Sequence, residues 1–128
     1  MINNFKIGSG KTFIIAELSA NHGGSFEIAV KSLEAAKAAG ADAVKLQTYT
    51  ADTITINSDN PIFKISGGTL WDGSTYYDLY KSATTPWEWQ GKLKELADKI
   101  GITLFSSPFD KTAVDFLENI NVPAYKIA

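Results

Sequence analysis

Apolar residues fall in short runs separated by longer amphipathic stretches, the pattern of strands alternating with helices. FIIAEL (13–18) is an Ile-rich run of strand length, followed by the glycine-rich turn SANHGG (19–24). Ser25 then caps a helix over Phe26–Ala39, with Ile28, Ala29, Leu33 and Ala36 on one stripe. Gly40 stands at the C′ position, where a left-handed turn ends a helix at little cost. Almost without a loop, ADAVKLQTY (41–49) forms a second strand. Its two-residue alternation turns Ala43, Lys45, Gln47 and Tyr49 to one side and Val44, Leu46 and Thr48 to the other.

Residues 50–73 break the pattern: Thr, Asn, Asp, Gly and Pro dominate, with a small hairpin expected around IFKISGGTLW (62–71). A connection this long within a compact domain is usually functional, often a lid over a site. A short helix over Tyr76–Ser82 closes it. In TTPWEWQGKLKELADKIG, Thr85 as N-cap, Pro86 at N1 and Glu88 at N3 predict a capping box. Trp89, Leu93, Leu96 and Ile100 make that helix's buried stripe, and Gly101 stops it. ITLFSS (102–107) is a third strand, Asp110 caps a helix over Lys111–Ile120, and PAYKIA (123–128) is a fourth strand.

Strands joined through helices on short links predict βαβ units and a parallel sheet. The phrase helix, Gly or Asn, strand recurs as AAGADAVKL, KIGITLF and INVPAYKI. That repetition suits a (β/α)8 TIM barrel better than a doubly wound sheet, whose first turn carries a tighter glycine fingerprint. A whole barrel needs about 250 residues and eight strands. Residues 1–128 are therefore expected to be the first half of a longer barrel, about four β/α units.

Composition narrows the function classes. The chain is 45% hydrophobic and 20% charged, within the globular range, with a formal charge of −2. No broad basic surface is available for nucleic acid or anionic membrane, so an anionic ligand must be gripped by a few placed cations. Cysteine is absent, which excludes disulfides and thiolate metal sites. No segment approaches the roughly 18 apolar residues that span a bilayer, and the N-terminus lacks an apolar leader core. A cytoplasmic location is the expectation.

In a barrel of this kind the chemistry sits at the C-terminal ends of strands. Those positions hold Glu17, then Lys45 and Gln47, then Ser106 and Ser107, then Lys126. Two lysines at one mouth make a local cationic pocket within an acidic chain, and serines add neutral donors. Each has a plainer reading. Lys45 could run its stem along the wall to water. A strand-end lysine such as Lys126 is common. Glu17 could be the first solvated residue past its strand, and Ser106 and Ser107 could bond local backbone. His22, the lone histidine, beside two glycines and without a carboxylate neighbour in sequence, is a poor metal ligand. The aromatic group Trp71, Tyr76, Tyr77, Tyr80, Trp87 and Trp89 suits core or lid packing more than sugar stacking.

IIAELSANHGGSFEIAVKSLEAAKAAGADAVKLQTYTADT, followed by TPWEWQGKLKELADKIGITLFSSPFDKTAVDFLENINVPAYKIA, resembles the sialic acid synthase family of nonulosonate synthases. GTLWDG, LYKSATTPWEW and FSSPFDKTAVDFLE are most similar to its pseudaminate-forming branch. The resemblance implies a barrel enzyme that condenses phosphoenolpyruvate with 2,4-diacetamido-2,4,6-trideoxy-altrose, releasing phosphate and forming pseudaminic acid. It also implies a divalent metal, Mn or Mg, bound by histidines outside this chain, and a homodimer completed by a C-terminal antifreeze-like domain. By position, Glu17 in AEL resembles the catalytic glutamate. Lys45 in VKLQ and Lys126 in YKIA resemble the cations that hold phosphoenolpyruvate, with Ser107 and its neighbour Ser106 as donors. Gln47 and Tyr49 would face the sugar. No residue of this chain is assigned to metal. NHGG departs from the Asn-His-Asn-Gly of many relatives, so His22 receives no catalytic role.

Other readings stay open. N-acetylneuraminate or legionaminate synthesis differs only in the acceptor. A Schiff-base aldolase would use Lys45 or Lys126 as nucleophile. A non-catalytic binding module would keep the pocket and lose the chemistry.

Overall fold

The computed structural model describes residues 1–128. A parallel three-stranded sheet in the order β1-β2-β3 is built from β1 (Ile15–Ser19), β2 (Ala43–Thr48) and β3 (Thr103–Pro108). Helices α1 (Phe26–Ala38), α2 (Ala51–Ile54), α3 (Tyr76–Ala83), α4 (Trp87–Ile100) and α5 (Lys111–Asn119) lie between and after the strands. This is the α/β alternation that the hydrophobic pattern predicts.

One face of the sheet carries the core. Leu18, Val44, Leu46 and Leu104 of the strands pack with Ala29 and Leu33 of α1 and with Leu93 and Ala97 of α4. Leu33, Val44, Leu46 and Leu93 are fully enclosed. Because α1 and α4 also touch each other, both helices cover the same face, unlike a doubly wound sheet with helices on two sides. Ser25 caps α1 through the Ile28 amide, and Asp110 caps α5 through the Thr112 and Ala113 amides. Gly101 ends α4 at φ 73°, a conformation that glycine adopts without the Cβ penalty.

Three expectations need correction. Ile28 is about half exposed, so the buried stripe of α1 is Ala29 and Leu33 with Ala36 at its margin. The capping box before α4 does not form: Pro86 is extended at φ −52° and ψ 131°, the helix begins at Trp87, and no side chain caps it. Thr85 is drawn away because its hydroxyl pairs with His22 and the backbone of β1. PAYKIA is not a strand but a single parallel bridge between Ser106 and Tyr125, with the Lys126 amide donating to the Ser106 carbonyl. Pro123 has no N–H to extend that ladder.

Between β2 and α4 the long connection is ordered by its own bonds. Lys64 and Thr75 form an antiparallel bridge, so a hairpin does occur, shifted slightly from 62–71. Its tip is organised by Asp72, whose carboxylate accepts from the amides of Gly67, Gly68 and Thr69 and from the Thr69 hydroxyl.

Candidate active site on the face of the sheet opposite the helices

Laterally paired residues of a parallel sheet point the same way, so the register decides which candidates share a face. Glu17 is beside Lys45, Lys45 beside Phe105, and Gln47 beside Ser107. These five residues stand on the face opposite the helices. The bridge from Ser106 to Tyr125 and the bond from the Lys126 amide to the Ser106 carbonyl bring the Lys126 backbone to the end of β3. The structure thus brings Glu17, Lys45, Gln47 and Ser107 to one side, at the C-terminal ends of the strands, with Lys126 near the end of β3.

Lys45 and Glu17 are in direct contact. Lys45 Nζ lies 2.5 Å from Glu17 Oε2, with the lysine side chain 11% exposed and the glutamate 47%. The second glutamate oxygen, Oε1, accepts from the Ser19 hydroxyl at 2.6 Å. Glu17 is therefore fixed at both oxygens, and the buried lysine has its charge matched without any ligand. Ser19 reaches Glu17 because β1 bulges there: Glu17 pairs with Lys45 but Ser19, two residues on, pairs with Leu46. Ser19 has φ 49°, a left-handed conformation that costs a non-glycine residue about 1–2 kcal/mol. Backbone outliers held by surrounding structure cluster at functional sites.

The two serines of FSSPF part company. Ser106 is fully buried on the helix side, where its hydroxyl is 2.7 Å from Thr48 Oγ1, which itself donates to Gln90 Oε1 at 2.7 Å. Ser106 is thereby committed to the core and lies on the wrong face for a ligand beside Lys45. Ser107 is 1% exposed, and its hydroxyl has no hydrogen-bond partner. An orphaned buried hydroxyl is rare in a folded protein and marks a place where another group belongs.

Lys126 is exposed and Gln47 half-buried. Tyr49 does not join them at an open position. It lies one residue past the end of β2, where the two-residue alternation no longer sets its direction. It is 4% exposed, edge-on to Phe109 and Tyr80 at 5.6 and 6.2 Å. Burial there pushes its hydroxyl pKa up. Its carbonyl accepts from Trp87 Nε1 and the Thr84 hydroxyl, anchoring the start of α4 to β2.

His22 is buried at 1% exposure, and both ring nitrogens are used. Nδ1 accepts from the Gly24 amide at 3.2 Å, so Nε2 carries the proton toward Thr85 Oγ1 at 3.0 Å. Its ring meets Trp89 edge-on at 5.4 Å. Burial holds the imidazole pKa below its ordinary value. With His22 and Glu17 so engaged, and no cluster of three or more His, Asp or Glu side chains, this chain's residues do not fit a metal centre.

Sequence reasoning missed Ser19, Thr48, Thr85 and Gln90. Gln90 carried a signal, since it precedes Leu93 and Ala97 at helical spacing on the buried stripe. The role of Ser19 depends on a bulge that no local pattern announces.

A profile of the NeuB family matches residues 32–128. The chain is 57% identical over 127 residues to a pseudaminic acid synthase of Campylobacter jejuni, covering 99% of this chain and 36% of that protein. It is 52% identical over 115 residues to a pseudaminic acid synthase of Helicobacter pylori, covering 90% of this chain and 34% of that one. The chain thus spans about a third of the length of these curated relatives. Among solved structures, the N-acetylneuraminic acid synthetase of Leptospira borgpetersenii, in complex with citrate, superposes with a TM-score of 0.74 at 28% identity. That match covers 96% of this chain and 40% of that one.

Proposed function

Because the chain belongs to the NeuB family, we propose that it is the amino-terminal half of a (β/α)8 barrel synthase and carries the phosphoenolpyruvate end of its active site. The reaction is the condensation of phosphoenolpyruvate with 2,4-diacetamido-2,4,6-trideoxy-altrose to give pseudaminic acid and phosphate. Two observations support the half-barrel: helices cover only one face of the parallel sheet, and the relatives are nearly three times as long. The pseudaminate acceptor is favoured over acetylneuraminate by the 57% and 52% identities against 28%.

The observation that carries the reading is the buried Lys45 ammonium beside Glu17, on the same face as the unpartnered Ser107 hydroxyl. A phosphorylated enol with a carboxylate needs a cation and a neutral donor, and Lys45 and Ser107 supply them. Lys126, one residue past the Ser106–Tyr125 bridge, adds the second cation. In the reaction the enol carbon bonds to the sugar's aldehyde carbon, water adds at the phosphorylated carbon, and phosphate leaves. Glu17, held at both oxygens, is placed to move a proton as that tetrahedral centre forms. Gln47 faces the sugar end. Any Mn or Mg would be held by residues outside this chain, and no step here is routed through it.

Mixing the intact protein with phosphoenolpyruvate, a divalent metal and the diacetamido altrose should release phosphate in proportion to keto-acid product. Turnover of acetylmannosamine instead would move the acceptor assignment to the acetylneuraminate branch. Absence of phosphate with every nonulosonate precursor would overturn the reading. A borohydride-trapped lysine adduct with a keto acid would favour the Schiff-base aldolase.

A further inference from the structure

We infer that Ser19 is a positioning residue for Glu17, and that the buried His22–Thr85 pair is the brace that holds Ser19 in its left-handed conformation. The inference rests on the proposed role of Glu17 and adds three residues to it. A continuous chain of bonds runs from the loop after β1 to the acid. The Gly24 amide donates to His22 Nδ1, His22 Nε2 donates to Thr85 Oγ1, and the Thr85 hydroxyl donates to the Ser19 carbonyl at 3.3 Å. From the same residue, Ser19 Oγ donates to Glu17 Oε1 at 2.6 Å.

Each link has a physical reason to be rigid. His22 and Thr85 are both 1% exposed, so neither can exchange its partner for water. Trp89 and the Gln90 amide group, which lies 3.5 Å from the Thr85 carbonyl, close the pocket from α4. The brace therefore ties the bulged end of β1 to the entry of α4, two segments 66 residues apart. Held at φ 49°, Ser19 sends its hydroxyl back to the carboxylate two residues earlier while Lys45 holds the other oxygen. A proton-transferring carboxylate gripped at both oxygens is aimed before substrate arrives, and small losses of aim cost large factors in rate. Thr85 is thereby explained: it fails to cap α4 because its hydroxyl is used here.

The test compares Ser19→Ala, Thr85→Val and Thr85→Ser in the intact protein, by phosphate-release kinetics and by crystal structures. Ser19→Ala and Thr85→Val should lower kcat by about 10- to 100-fold, with KM for phosphoenolpyruvate held within about twofold. Thr85→Ser restores the hydroxyl and should recover kcat to within about threefold of wild type. In the Thr85→Val crystal structure Ser19 should leave the left-handed region or Glu17 Oε1 should lose its hydroxyl donor. Equal losses for Thr85→Val and Thr85→Ser, an intact Ser19–Glu17 bond in Thr85→Val, or a raised KM with unchanged kcat would overturn the inference. Ser19→Ala, at a half-buried position, carries the kinetic test alone should Thr85→Val fail to fold. A wild-type protein that releases no phosphate removes the proposed function and this inference with it, and is distinguished by needing no variant.

Discussion

Lys45 and Ser107 make the sharpest claims at the residue scale, because both are buried on one face, Lys45 as a cation paired with Glu17 and Ser107 as a hydroxyl with no partner. Lys45→Met removes the cation proposed to hold phosphoenolpyruvate and leaves Glu17 with only Ser19, so phosphoenolpyruvate affinity should fall strongly by calorimetry. Glu17→Gln should instead lower turnover while affinity is largely kept, and the opposite pattern would mean that the two roles are exchanged. The adjacent serines separate structure from binding. Ser106→Ala leaves the buried Thr48 hydroxyl short of a partner and should cost stability, about 1–3 kcal/mol in chemical denaturation, with affinity unchanged. Ser107→Ala removes a hydroxyl that bonds nothing in the folded chain, so it should leave stability alone and weaken phosphoenolpyruvate binding. The shared face of Lys45 and Gln47 was legible in the sequence, since strand alternation dictates it. The separation of Ser106 from Ser107 was not, because both reach a strand end and only the register tells which one faces α4.

Elements were read well where local chemistry governs them and less well where distant contacts do. Ser25, Asp110 and Gly101 mark helix ends through neighbours within a turn, and the structure uses all three as expected. Thr85 and Pro86 had the same kind of signal, but a histidine 63 residues away claimed the hydroxyl and moved the helix start. The fourth strand failed for a similar reason: its apolar pattern is sound, yet a ladder needs partners that residues 123–128 meet only once. Two pH effects belong to this scale. Hydrogen bonds from the Thr69 hydroxyl and the amides of Gly68, Thr69 and Gly67 hold the Asp72 carboxyl at about 2, below its ordinary 3.8. The hairpin's stabilisation by Asp72 is therefore complete above 3.8 and lost as pH falls through 2, which amide exchange at Gly68 and Thr69 can follow. His22 has the opposite chemistry, a base buried neutral. The unfolded chain takes up its proton first, so stability should drop as pH falls below 6.5. Thermal melts of His22→Gln should show a shallower dependence over that range.

Across the whole molecule, helices and core lie on one side of the sheet while the acid, Lys45 and the orphaned hydroxyl lie on the other. Exposed Ile15 at the β1 edge and exposed Ile127 near the last bridge fit an arrangement in which more chain adds to the sheet. The parallel α/β alternation was legible from hydrophobic periodicity alone, whereas the bulge beside Glu17 exists only once β1 meets β2 and the distant entry of α4. Leu93→Ala, at the centre of the helix-side core, should cost about 2–5 kcal/mol by denaturant titration without changing which ligand binds. A crystal structure of the intact protein with phosphoenolpyruvate tests the central claim most directly. The account predicts ligand oxygens within about 3 Å of Lys45 Nζ and Ser107 Oγ, with Lys126 closing on the same anion. Phosphoenolpyruvate bound elsewhere, with Lys45 still paired to Glu17 alone and the Ser107 hydroxyl still without a partner, would contradict it.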